Sequence, residues 1–243
     1  LPLYKFIVIQ TAADVGRQLA NAHTIFNILN AIIFIPFVSF FARLIQTLIP
    51  VSTPAVPSRV LYLDKKLLGA SPTAAVEAVK DELMHMGQIV QDMLHITRQA
   101  YTERNTESLM STFSDQEKSV NAINKAISSY ASEIWQHGLS GEVSTVLGCY
   151  VNASGDLERV GDHLENLMEL STACFSDGAH FSDQANQEFW DMFNTSEEAV
   201  SCAILSLRNE DTSKADYVIH DLENRIDNQE KQYRRNHIDR LNR

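Results

Sequence analysis

The sequence predicts an all-α protein: an N-terminal transmembrane helical segment followed by antiparallel three-helix bundle repeats, the second repeat truncated. Three observations carry this. The 243 residues include 9 Gly and 6 Pro, too few for an all-β or a disordered chain. An apolar run near the N-terminus is long enough to cross a bilayer. From Ser71 onward, apolar residues recur at spacings of three and four, the period of helices with one buried face.

The charge is unevenly divided. Residues 1–66 carry Lys5, Arg17, Arg43, Arg59, Lys65 and Lys66 against Asp14 and Asp64, a net +4; of the chain's net −11, the remainder therefore carries −15. An apolar, slightly basic piece precedes a polar, strongly acidic one. Such a balance argues against nucleic-acid binding, which needs clustered Lys and Arg. The chain begins at Leu1, which fits a fragment or a processed product. Cys149, Cys174 and Cys202 are scattered, with no CxxC pair. They read as small buried apolar residues in a reducing compartment.

Residues 25–49 contain one charge, Arg43, which sits near one end where it can snorkel. Pro36 predicts a kink, which membrane helices tolerate better than soluble ones. A buried core helix is the alternative, but it would need a large surrounding core. The bases that follow the run favour a cytoplasmic C-terminal part. Pro50, Pro54 and Pro57 mark a linker. Just before the apolar run stand Asn21, His23, Asn27 and Asn30; His23 and Asn27 are four apart on one helix face. Polar groups there read either as facing protein or a water-filled path, or as an interhelical hydrogen-bonding cluster.

The acidic piece reads as five helices. Ser71-Pro72 is an N-cap with Pro at the first position, opening a helix to about Glu103. A second carries Leu109 to Ile134 and ends at His137-Gly138. A third runs from near Ser140 to the Ser176-Asp177-Gly178 break, and short turns make the three an antiparallel bundle. Two more are predicted from Ser182 to Asn209 and from Ser213 to Arg243. Glu117/Asn121 and Glu223/Asp227 sit at matching places about one hundred residues apart, which reads as a weak duplication or as two helices sharing an amphipathic period.

The densest chemistry lies in residues 155–169, GDLERVGDHLENLME. Glu158 and Asp162 share a face, which Glu165, Asn166 and Glu169 continue. Carboxylates four apart repel, and a hard cation relieves the repulsion. His163 offers a nitrogen ligand, whereas Arg159 offers a plain ion pair. On the residues alone, a solvated charged face is the commoner outcome. The one Glu-x-x-His run, Glu82-Leu-Met-His85, stands alone. Without a phosphate loop, nucleophile elbow or zinc spacing, the sequence does not read as an enzyme.

Two resemblances sharpen this reading. Ala20-Asn-Ala-His23-Thr-Ile-Phe26-Asn27 resembles the A-x-x-H-x-x-F-N signature of sodium/phosphate cotransporter membrane domains. The Gln-Ser-Ser motif associated with phosphate and sodium in that family is absent, so the resemblance covers the tail of a transport domain. It implies sodium and phosphate as transported species, with their main ligands upstream. Asp156-Leu-Glu158-Arg159-Val-Gly-Asp162-His163-Leu-Glu-Asn166 is similar to the D-L-E-R-I-G-D-H-x-x-N signature of PhoU domains. Those are built from two three-helix repeats, carry E-x-x-x-D pairs that form multinuclear metal sites, and take part in phosphate regulation. Glu158/Asp162 and Glu223/Asp227 match that pair; Glu117 matches its first member, with Asn121 in place of Asp.

Together the resemblances imply the end of a cotransporter membrane domain (1–49), a linker (50–66), a PhoU-like three-helix repeat (67–178) and a partial second repeat (179–243). The implied protein is a multi-pass sodium-dependent phosphate symporter of the inner membrane with residues 50–243 in the cytoplasm. The alternative is a membrane-tethered PhoU-type signalling adaptor without transport. Iron, manganese, zinc or magnesium is the implied metal. The implied protein partners are a second copy of the chain or a phosphate-signalling protein.

Overall fold

Asp14 starts the first helix: its side chain accepts the Arg17 N–H, and α1 spans Val15–Phe34. The structure, a computed structural model, describes residues 10–11, 14–37, 60–104, 106–176 and 181–242. The chain divides into two units, Leu1–Val56 and Pro57–Arg243.

In the first unit, α1 gives way to a 3₁₀ turn over Ile35–Phe37. Pro36 fits the change, since proline has no N–H to continue the α-helical ladder. The α-helix stops at Phe34, and residues 38–49 of the expected span lie outside the described residues. Among the described residues no helix is long and apolar enough to cross a membrane. Helix α1 begins at Val15. Its cap lies well before the apolar run, so the helix takes in Arg17, Gln18, Asn21, His23 and Asn27 as well as the apolar residues. Phe26, Ile28, Leu29, Ile32, Ile33 and Phe34 are all exposed on it.

Among its described residues the second unit has helices, turns and short connections but no strand. Asp64 caps a short helix, α2 (Lys65–Ala70), by accepting the Lys66 N–H. The sequence reading placed Lys65 and Lys66 in a linker; a local cap overrides the unpatterned sequence there. Most of that linker, residues 50–59, lies outside the described residues. Three long helices follow: α3 (Pro72–Glu103), α4 (Glu107–Gln136) and α5 (Gly141–Ser176). Ser71 caps α3 as expected, accepting the Ala74 N–H. Gly138 follows α4 at φ +74°, the left-handed conformation that glycine adopts without strain. The three helices pack on one another along their lengths. Their shared core is aliphatic: Leu83, Met86, Ile123, Ile127, Leu147 and Met168 are fully buried.

Ser182 caps α6 (Asp183–Asn209), which packs on α3. Gly87 permits close approach, since a Cβ there would meet Ile204 Cγ2 at 3.2 Å. Nearby, Arg98 reaches from α3 to Asn194 at 2.6 Å and to Glu197, and its guanidinium lies 5.1 Å from the Phe193 ring centroid. The expected fifth helix is divided. It forms α7 (Thr212–Tyr217), a π turn over Val218–Leu222, and α8 (Glu223–Leu241). Such a turn holds one surplus residue in a helix and shifts the faces that follow. The cysteines correct the sequence reading: Cys149 is exposed, and Cys174 and Cys202 are partly so.

Candidate functional site: a carboxylate cluster between two helices

The spacing of α5 carries Asp162 and Glu165 on neighbouring positions of one face, and that face meets α4 at Glu117. Ligand-type oxygens of Glu117, Asp162 and Glu165 all lie within 4.8 Å of one another. Gly161, next to Asp162, is buried against α3 and α4. A Cβ on it would sit 3.6 Å from both Met93 Cε and Val120 Cγ1.

The electrostatics follow from this convergence. Burial, then the charges of Glu165 and Asp162, push the Glu117 carboxyl above its usual range. A hydrogen bond from the Asn121 side chain and the charge of Lys118 oppose this without reversing it. The cluster thus holds like charges at a separation where a bound cation would lower their mutual energy. All three side chains offer oxygen, the donor of hard cations, and no imidazole or thiolate belongs to the group.

The other expected residues fall elsewhere. Glu158, one turn before Asp162, is half-buried and outside the group. Asp156 and Arg159 form an exposed ion pair at 3.8 Å, and Asn166 is exposed. His163 turns away from the cluster. It lines a cavity of about 410 Å³ between α5 and α6, beside Leu164, Leu167, Phe189 and Phe193. Glu223 and Asp227 are exposed on α8, where Asp227 pairs with Lys231 at 3.3 Å. They belong to no such carboxylate group among the described residues. In the first unit, the Asn27 amide lies 3.0 Å from His23 Nε2 on an exposed face, and Phe26 beside them is exposed. Glu165 is the member that the pairwise motif missed; its three-residue spacing from Asp162 was the available signal.

Residues 83–171 match the family model of the PhoU domain. The matched stretch is less than half of the chain and covers most of α3, all of α4 and most of α5, the helices that build the cluster. No curated protein and no solved structure matches the chain. The PhoU-like region relates the protein to phosphate homeostasis. The match does not extend to the residues that resemble a cotransporter, His23, Phe26 and Asn27.

Proposed function

We propose that this chain is the C-terminal part of a membrane sodium-dependent phosphate symporter, and that its PhoU-like bundle is a cytoplasmic domain regulating phosphate transport. The observation that carries the phosphate reading is the PhoU match over α3–α5. Transport rests on less: the resemblance of Ala20–Asn27 to a cotransporter signature, and the apolar surface of α1. On this reading residues 1–49 close a membrane domain, 50–66 link it to a first repeat at 67–178, and 179–243 begin a second.

The cluster is the proposed regulatory metal site, with Glu117, Asp162 and Glu165 as ligands. An all-oxygen donor set fits magnesium, manganese or iron better than zinc, which favours nitrogen and sulfur. A metal that binds one bundle conformation more tightly than another would shift the population between them, and the transport domain with it. Removal of residues 67–243 from the full-length protein should change sodium-dependent phosphate uptake or its response to phosphate. Unchanged kinetics with an unchanged response would sink the regulatory role. Altered phosphate signalling without any sodium-dependent uptake would instead favour a membrane-tethered adaptor.

A further inference from the structure

Glu82 is a fully buried acid on α3, outside the carboxylate cluster. Its Oε2 accepts two backbone N–H groups from the segment before α2, Leu61 at 2.8 Å and Tyr62 at 2.7 Å. Its Oε1 lies 3.0 Å from His85 Nδ1. The His85 ring in turn meets the Tyr62 ring edge-on, with centroids 6.3 Å apart. A second grip comes from α4, where the Tyr130 hydroxyl donates to the Asp64 carbonyl oxygen at 2.7 Å. Both grips act on the backbone, so they hold the segment whatever side chains it carries. The exposed Lys65–Glu133 pair at 3.6 Å adds little.

The two grips come from different helices. If α3 moves along α4, the acceptor at Glu82 and the donor at Tyr130 separate, and a short segment cannot satisfy both. Loss of the carboxylate leaves two N–H groups outside any helix without this acceptor. We propose that residues 60–64 form a strap seated across α3 and α4, and that Glu82 is its release point. Changes in α3–α4 packing would thereby reach the backbone of the strap. This needs neither the transport reading nor a metal.

Hydrogen exchange on the full chain, read peptide by peptide, tests it. Glu82→Met keeps an unbranched side chain of similar size but removes the acceptor. It should speed exchange of the peptide holding Leu61 and Tyr62 on the order of 10-fold or more, leaving α3–α5 protected. Glu82→Gln, which keeps one oxygen for the amides, should have a smaller effect. Tyr130→Phe should open the same peptide, and it decides the matter if Glu82→Met fails to fold. Ile127→Val, a change confined to the core on α4, should speed strap exchange by about 2-fold or more if packing and strap are coupled. Unchanged strap exchange in Tyr130→Phe and Ile127→Val would overturn the proposal. Uniform loss of protection across α3–α5 in Glu82→Gln would also do so, making Glu82 a packing residue.

Discussion

Helices α3–α5 and the stretch α6–α8 lie in one unit but are held by different physics. Helix α3 buries fourteen residues, α6 four and α8 none, so apolar burial dominates in the first group and fades along the second. In its place α6 and α8 share a polar network. Glu188, almost fully buried, takes a hydrogen bond from Asn236 at 2.7 Å and an ion pair from Arg240 at 2.8 Å. Aliphatic packing tolerates wide changes of pH and salt, whereas a charged network does not. The carboxylate cluster sits in the group whose geometry is fixed by the core.

The contrast breaks first at the core. Ile123→Ala removes a fully buried side chain from α4 and should cost about 2–5 kcal/mol in denaturant unfolding. Truncating half-exposed Ile226 on α8 should cost much less. Next comes the polar network. Glu188→Ala leaves Arg240 unpaired in a partly buried place and should cost about 1–3 kcal/mol, read as faster hydrogen exchange over α8 while α3–α5 stay protected. The pH dependence has a definite sign. Burial alone would raise the Glu188 carboxyl, but hydrogen bonds from Asn236 and Arg240, with the charge of Arg240, hold it below its usual range. Its stabilisation is therefore present above the ordinary carboxylate value of about 4.3 and lost as pH falls through the lower, folded value. Acid should release α8 before it unfolds α3–α5.

Two smaller effects sharpen the account of the cluster. Gly161→Ala places a methyl at ordinary contact distance from Met93 and Val120 and removes a glycine from mid-helix. A gain of up to about 0.5–1 kcal/mol in thermal unfolding is expected. Asp162→Asn removes one of the charges that raise the Glu117 carboxyl. Without added metal it should stabilise the fold by a few tenths of a kcal/mol near neutral pH. The sign follows because a raised carboxyl opposes folding as pH climbs above its ordinary value, with the full penalty present above the folded value.

Local signals were the legible part of this molecule. Ser71-Pro72, Gly138 and Ser182 mark helix ends through chemistry confined to a few residues, and they mark them in the structure. The motif DLERVGDH lies on the helix that enters the cluster, but the carboxylate grouped there with Asp162 on α5 is Glu165. Whether Glu158 or Glu165 joins Asp162 depends on how α5 is rotated against α4, which packing decides and spacing does not. The same rotation places His163 on the α5–α6 cavity. The π turn at Val218–Leu222 was invisible because it breaks no sequence rule. Glu82 was also hidden, because its donors are backbone groups twenty and twenty-one residues away.

Metal binding to the full chain tests the central claim most directly. Elemental analysis and thermal unfolding with added manganese, magnesium or iron should show stoichiometric metal and a concentration-dependent rise in Tm. Both should disappear in Glu117→Gln and Glu165→Gln and survive in Glu223→Gln and Asp227→Asn. Absence of stoichiometric metal from the parent protein would contradict the account. So would binding that depends on Glu223 and Asp227 while ignoring Glu165.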